Sequence, residues 1–482
     1  MKRSLCILGL LLVLAVGLLV IAHVTLNMDQ DKVVLTETVL AGDRAAAAGV
    51  TVTNRVRNNT RNLRWETVFT PAAESLNTDT AFDFALKQES SPHYWESNVS
   101  ISVASSSFGI GSSHNIDLEN PDYGDLNRMV KPVADVASRT KPGEEHTEVV
   151  LLEDYYEYYP VDLDCSIYDE GDDWERFYYS SNTGEGDGEF LTEYFAIGIL
   201  PGHQVEVTTY RDEAGNLVDI NCMSYENQPR IDWVTVLSED GIFIYVSAAD
   251  WDTGEPLDLI QCADGKGIYF IPFGVDPHRV AGEGYDTVDV ERISLVYPME
   301  DVSGENMYMT LSDDGTQLLI YSLQAGELTL TVLDTVRWEI VQKLPLLRSE
   351  AEQPYLHEVL ERDGFQVVII DRNRFALVTE EAEGFVLSLT GQLGEEWSGP
   401  LRSHPHLAWD GQRLVWAGYD TRIWTESLDY NLFALQIYLA VLDETGVAFA
   451  ARYDHSIFND PIARREYCYY PDGGDTLKLQ LA

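Results

Sequence analysis

Positive charge is what this sequence has least of. Its 482 residues carry 32 lysines and arginines against 80 aspartates and glutamates, a formal net charge of −48. A surface so short of cations cannot neutralise a row of phosphates. Nucleic acid is therefore excluded as a partner, and an anionic membrane surface repels the bulk of the chain. Cysteine is scarce too, with Cys6 near the start and Cys165, Cys222, Cys262 and Cys468 widely spaced. The spacing matches no zinc pattern and no Cys-x-x-Cys redox pair. Outside a cell the four distal cysteines either pair or remain separate buried thiols. Short catalytic signatures are missing as well: there is no Gly-x-Ser-x-Gly elbow, no His-Glu-x-x-His, no Walker loop and no Gly-x-Gly-x-x-Gly after a strand. Carboxylates are so abundant that a glycosidase-like pair has nothing to mark it out.

What the chain does have is a repeat. Leu311-Ser-Asp-Asp314-Gly315-Thr-Gln-Leu318-Leu319-Ile320 places a leucine three positions before an Asp-Gly turn, then three apolar residues after two spacers. The same spacing recurs around Leu237 with Asp240-Gly241, Leu360 with Asp363-Gly364, and Leu407 with Asp410-Gly411. Asp-Gly suits the positive-φ positions of a tight hairpin, so each copy reads as strand, turn, strand. The aspartates at 240, 314, 363 and 410 are separated by 74, 49 and 47 positions. The last two intervals fit a four-stranded propeller blade of about 40–50 residues; the first holds either an insertion, favoured because 272–301 is rich in Gly, Pro and acidic residues, or an unsigned blade. Residues 477–481, alternating apolar and polar, supply a last strand that closes a ring on an earlier one.

The 307–347 unit resembles a blade of the lactonase or YVTN type of β-propeller. That resemblance implies an inner strand at 307–311, further strands at 317–322, 328–334 and 338–346, and an Asp-Thr turn at Asp334-Thr335. It is clear for this blade, partial for the other copies, and implies architecture rather than activity. The expected fold class is all-β, a β-propeller of about six to eight blades behind an N-terminal transmembrane helix.

Lys2 and Arg3 precede an uncharged apolar run over 5–26, long enough to cross a bilayer, with the positive flank inside and the rest of the chain outside. A cleaved signal peptide ending at Ala22 is the competing reading; the run exceeds the usual signal core. The expected order is a cytoplasmic stub (1–4), a transmembrane anchor (5–26), an N-terminal β-rich region or first blades (27–140), an acidic, tyrosine-rich β region (141–229) and propeller blades (230–482). Within 27–140, residues 43–49 read as a short capped helix, 50–56 and 63–69 as strands, and 105–113 as a Ser/Gly-rich loop.

Between 143 and 193 the only basic residue is Arg176. Asp169, Glu170, Asp172 and Asp173 are candidate Ca²⁺ ligands, set against the plainer reading of a solvated acidic face; the nearest approach to an EF-hand loop, from Thr183 to a twelfth position at Tyr194, lacks the required ligands. A second set of candidates follows from the repeat. Residues one and three before each signature leucine share a strand face. These are His357 and Val359, His404 and His406, Tyr308 and Thr310. His357, His404 and His406, with Tyr308, then face one cavity as ligands for a small molecule or a transition metal, or as acid and base; the alternative is partly buried polar residues bonded within the fold. No resident cofactor is expected beyond a possible Ca²⁺ or transition metal. Two functions stay open: a non-catalytic, membrane-anchored module that binds, senses or scaffolds an extracytoplasmic protein or glycan, and an extracytoplasmic hydrolase or lyase with a site in the propeller channel.

Overall fold

All four Asp-Gly repeats fold as hairpins in the computed structural model, which describes residues 2–27, 34–58, 63–71, 76–84, 98–103, 108–111, 114–119, 124–167, 177–180, 187–238, 240–262, 264–275, 286–299, 303–402, 405–420, 436–455, 469–471 and 477–481. Pro229–Leu237 turns into Gly241–Asp250, Met307–Leu311 into Gln317–Gln324, Leu356–Arg362 into Phe365–Ile370, and His406–Trp409 into Leu414–Asp420. Gly315, Gly364 and Gly411 sit at φ +68°, +77° and +90°, a region closed to most side chains. In two of the copies the aspartate before the glycine fixes the turn from its side chain. Asp314 Oδ1 accepts the Thr316 backbone N–H at 3.0 Å, and Asp410 Oδ1 accepts that of Arg413 at 2.7 Å. Gly241 serves a different need: a Cβ there would lie 2.3 Å from the Ile271 carbonyl oxygen, so the glycine admits a neighbouring strand.

The three apolar residues after each turn fall on a strand buried on both sides. Alternate residues point to opposite faces, so an unbroken apolar run needs a partner layer on each. Gly241–Asp250 is buried along nearly its whole length, and so is Leu414–Asp420 over its described side chains.

The chain divides into two compact units, residues 1–94 with 357–482, and residues 95–356. In the first, sheet A orders Leu35–Gly42, Gly446–His455, Gln436–Asp443, Leu414–Asp420 and His406–Trp409. Sheet B sets Val50–Asn58, Leu63–Pro71 and Leu76–Phe84 side by side, with Tyr469–Pro471 and Leu477–Leu481 both on the free side of Val50–Asn58. Sheet C runs Leu356–Arg362, Phe365–Ile370, Arg374–Glu381, Gly384–Gln392. Sheet A is the middle layer. Val415, Ala417 and Tyr419 pack toward Val50, Val52, Phe69 and Leu477 of sheet B. Leu414 and Trp416 pack toward Val367, Ile369 and Phe375 of sheet C, joined by Trp397 and Leu401 of a short helix, Glu395–Arg402.

The second unit repeats the plan. Sheet D holds Asn98–Val103, Val161–Ile167 and Phe177–Ser180; sheet E orders Phe108–Gly111, Leu217–Glu226, Gln204–Arg211 and Glu145–Leu151. Sheet F runs Pro229–Leu237, Gly241–Asp250, Gly267–Val275, the last taking both Asp286–Val288 and Ser294–Pro298. Sheet G runs Met307–Leu311, Gln317–Gln324, Glu327–Asp334, Ile340–Arg348. Sheet F is the middle layer here, with Phe243 and Tyr245 against Met309, Leu318 and Ile320 of sheet G, and Ile242, Ile244 and Val246 in the core that holds Val205, Val207 and Ile220 of sheet E. The described structure is thus mostly β and propeller-like, with serial antiparallel sheets stacked face to face inside each unit. Sheet G carries the four strands expected for the 307–347 blade, and Thr335 Oγ donates to the carbonyls of Thr316 and Gly315, latching the Asp-Thr turn onto the Asp-Gly turn. The 74-residue interval from Asp240 to Asp314 contains the further strands of sheet F.

Several expectations change. Residues 105–113, read as a loop, contain the strand Phe108–Gly111, which pairs with Asp219 to Cys222. The stretch from Thr183 that lacks the EF-hand ligands overlaps the helix Asp187–Phe195, a segment for which no conformation was expected. Of the residues from 230 onward, 230–356 fall in the second unit and 357–482 in the first. Among the described residues there are two further α-helices. The helix α1 spans Lys2–Asn27. Gly124–Arg139 covers sheet E with Met129, Val133, Val136 and Ala137. Residues 43–49 do form a capped turn of 3₁₀ helix, Arg44–Ala47, with Asp43 accepting the Ala45 N–H at 3.0 Å and Gly49 at φ +81°. Cys222 and Cys262 are free thiols. Burial pushes them up to about 12 and about 11, which keeps them protonated and unreactive.

Candidate functional site

His357, singled out by its offset from Leu360, is the second residue of Leu356–Arg362 and is exposed. Arg402, the last residue of Glu395–Arg402, donates Nη1–H to His357 Nε2. With Nε2 accepting, the ring carries its proton on Nδ1. Arg402 is itself fastened by an Nε–H bond to the Ser398 carbonyl at 3.2 Å. The imidazole is held below the usual histidine range, first because it is partly withdrawn from water and then because the guanidinium groups of Arg402 and Arg372 disfavour a second positive charge. Arg372 comes from the turn after Phe365–Ile370, where Asp371 and Arg372 take φ of +52° and +72° without being glycine. Each such residue costs about 1 kcal/mol and persists only where its surroundings enforce it.

Next along the strand, burial raises the Glu358 carboxyl, against the pull of Arg402 and Arg362. Arg362 Nη2 donates to the Pro405 carbonyl at 2.6 Å. A neutral imidazole, a carboxyl drawn toward its protonated form and several guanidinium groups thus gather at sheet C and the Glu395–Arg402 helix. Such a set can orient an anion or move a proton. The arginines were not among the sequence candidates. No local pattern marked them, since Arg362, Arg372 and Arg402 are spread over forty positions.

The two other described candidates, His406 and Tyr308, fall in different units. His406 opens His406–Trp409, half-buried and opposite Ala417. Tyr308 lies in the second unit, opposite Tyr321. His404, Asp169, Glu170, Asp172, Asp173 and Cys468 lie outside the described residues. Among the described residues no group of three or more His, Cys, Asp and Glu side chains is placed to hold a metal ion.

A second histidine, unmarked in the sequence, is fully buried. Tyr159 OH lies 2.8 Å from His203 Nδ1, and Ser224 Oγ lies 2.9 Å from Nε2. The Leu200 backbone N–H donates to the Tyr159 oxygen at 3.1 Å, which turns the phenol hydrogen toward Nδ1. Nε2 therefore carries the ring proton and donates to Ser224. This is the reverse of a base activating a serine, and it makes the trio structural.

No family model matches this chain and no curated protein matches its sequence. Among solved structures, a 6-phosphogluconolactonase-like protein from Bacteroides fragilis shares 12% identity over 83% of this chain and 92% of its own, with a TM-score of 0.25. The periplasmic gluconolactonase of Pseudomonas aeruginosa shares 12% over 55% and 80%, at 0.24. A subtype N10 neuraminidase-like protein of A/little yellow-shouldered bat/Guatemala/060/2010 shares 11% over 46% and 57%, at 0.21. Overlaps this slight carry no argument about activity, and the propeller-like reading rests on the sheets themselves.

Proposed function

We propose that this chain is a membrane-anchored, extracytoplasmic β-propeller-like module that binds its ligand at sheet C around His357. The observation that carries the anchoring is the surface of α1. Among the described residues no helix is long and apolar enough to cross a membrane, and the described side chains of α1 are those of Gly9, residues 11–21 and Val24. Those side chains are exposed on every face, from Val16 at 53% to Val13 at 70%. A helix apolar all round has no polar side to offer water, so its stable surroundings are other apolar groups, here lipid. The sequence of this helix, Lys2–Asn27, is free of charge over residues 5–26, which supports the anchor reading. Lys2 and Arg3 at its start favour a cytoplasmic N-terminus.

Protease added outside intact cells is expected to degrade the sheets while leaving a membrane-held N-terminal stub, and deleting residues 1–27 is expected to free the protein from the membrane pellet. Full protection from external protease in intact cells, with digestion after lysis, would contradict the orientation. Glu358 favours a second reading, a hydrolase or lyase at the same place, because a carboxyl raised by burial is suited to act as a general acid. Glu358→Gln separates the two, abolishing turnover in an enzyme and sparing affinity in a binder.

A further inference from the structure

We propose that the outer face of sheet E docks a basic segment of a partner protein, one in which lysine or arginine alternates with apolar side chains. Along each strand of this sheet one set of alternate residues enters the core, as Val150, Val205, Val207, Ile220 and Cys222 do. The other set faces out. Its apolar members are left uncovered: Val149 is 43% exposed, Met223 48% and Tyr225 57%. Two of them flank a carboxylate, since Glu206 lies opposite Val149 on one side and Met223 on the other. Four residues along the same strand, Tyr210 lies between Glu145 and Asp219 in the same way. Acidic and apolar or aromatic side chains thus alternate across the strands, and a matching partner presents basic and apolar groups in the complementary order.

The charges on this face are of one sign. Among the described residues no lysine, arginine or histidine takes an outward position on these strands. His146 meets Glu148 on the inner side, and Arg211, at a strand end, donates to the carbonyls of Ala137 and Gly215. On that inner side Arg139 answers Glu148 at 2.9 Å, whereas among the described residues no ion pair reaches Glu145, Glu206 or Asp219. The edge strand adds an independent sign of a close-lying chain. Gly109 and Gly111 take no positive φ, and a Cβ on Gly111 would meet nothing within 4 Å, so the fold itself does not call for glycine there. Bare backbone lets a partner's chain approach closely. Nucleic acid and anionic lipid carry the wrong charge, a neutral glycan leaves the carboxylates unanswered, and a second copy of this chain, at −48, brings mainly like charge. The face belongs to the second unit and His357 to the first, so the two surfaces are separate properties of the chain.

The test uses the full chain in non-ionic micelles with ¹³C-labelled methionine methyls. Met223 then reports from the face itself, and buried Met129, Met307 and Met309 report an intact fold. Met223→Leu assigns the Met223 signal. The probes are a short peptide alternating lysine with valine, the same peptide with glutamate in place of lysine, and cellohexaose. The expected result is a saturable shift of the Met223 signal with the lysine peptide alone, the buried signals staying in place. Glu206→Lys combined with Asp219→Lys is expected to weaken that binding about tenfold. Glu380→Lys combined with Glu381→Lys, the same change of charge on exposed positions of sheet C, is expected to weaken it less than about twofold. Equal weakening by the two pairs shows attraction to net charge alone and overturns the proposal. It is equally overturned by a Met223 signal that stays still at about 1 mM lysine peptide, that moves with the glutamate peptide or with cellohexaose, or that moves when the protein alone is concentrated, the mark of a second copy.

Discussion

Removing residues 477–482 is expected to lower the melting temperature of the unit formed by residues 1–94 and 357–482 by about 10 °C. Leu477–Leu481 is the far end of the chain, yet it lies beside Val50–Asn58, with Leu481 opposite Val50 and Leu477 opposite Asn54. Leu477 is 1% exposed, in the core between sheets A and B. Losing a buried leucine costs about 2–5 kcal/mol before the ladder hydrogen bonds are counted, and in a unit of this size each kcal/mol moves the midpoint by about 2–4 °C. The bared edge of Val50–Asn58 also becomes a template for pairing with other chains, so the shortened protein should aggregate on heating. Calorimetry on the full and shortened chains decides it, and an unchanged transition would show that the last strand is dispensable.

The second large effect concerns His203. Burial places its folded midpoint at about 4, against 6.5 for an ordinary histidine. Between those values the unfolded chain takes up a proton that the folded one refuses, so stability increases with pH there. The contribution is complete above about 6.5 and is lost as the pH falls toward 4. Its size is about 2 kcal/mol once the water that reaches half-buried Ser224 is allowed for. His203→Phe strands the Tyr159 hydroxyl and Ser224, and should cost about 2–3 kcal/mol at pH 7.5. It should also flatten the acid-dependent part of the profile, so the gap between variant and parent narrows from pH 7 to pH 4.5. Urea midpoints measured at several pH values provide the comparison, and parallel profiles for the two proteins would refute the assignment.

The hairpins were legible because the information is local. Asp-Gly dictates the turn, and a run such as Val367-Val-Ile369 dictates a strand covered on both faces. The pairing of Leu35–Gly42 with Gly446–His455 was illegible, because nothing in either strand names a partner some four hundred residues away. Helix Gly124–Arg139 hid behind Pro132, although Met129, Val133, Val136 and Ala137 carry the spacing of a helical face. At the candidate site, the offset from Leu360 found His357, whereas Arg402 reaches it only through the tertiary placement of a short helix. His203 had no signal at all, since a buried, satisfied histidine differs from any other only in its surroundings.

The central claim is an anchored, outward-facing module, and the N-terminal sequence and intact mass of the protein recovered from washed membranes test it most directly. The account predicts a chain that still carries residues 5–26 and sediments with the membrane; a mature chain beginning at His23 and recovered in the soluble fraction would contradict it.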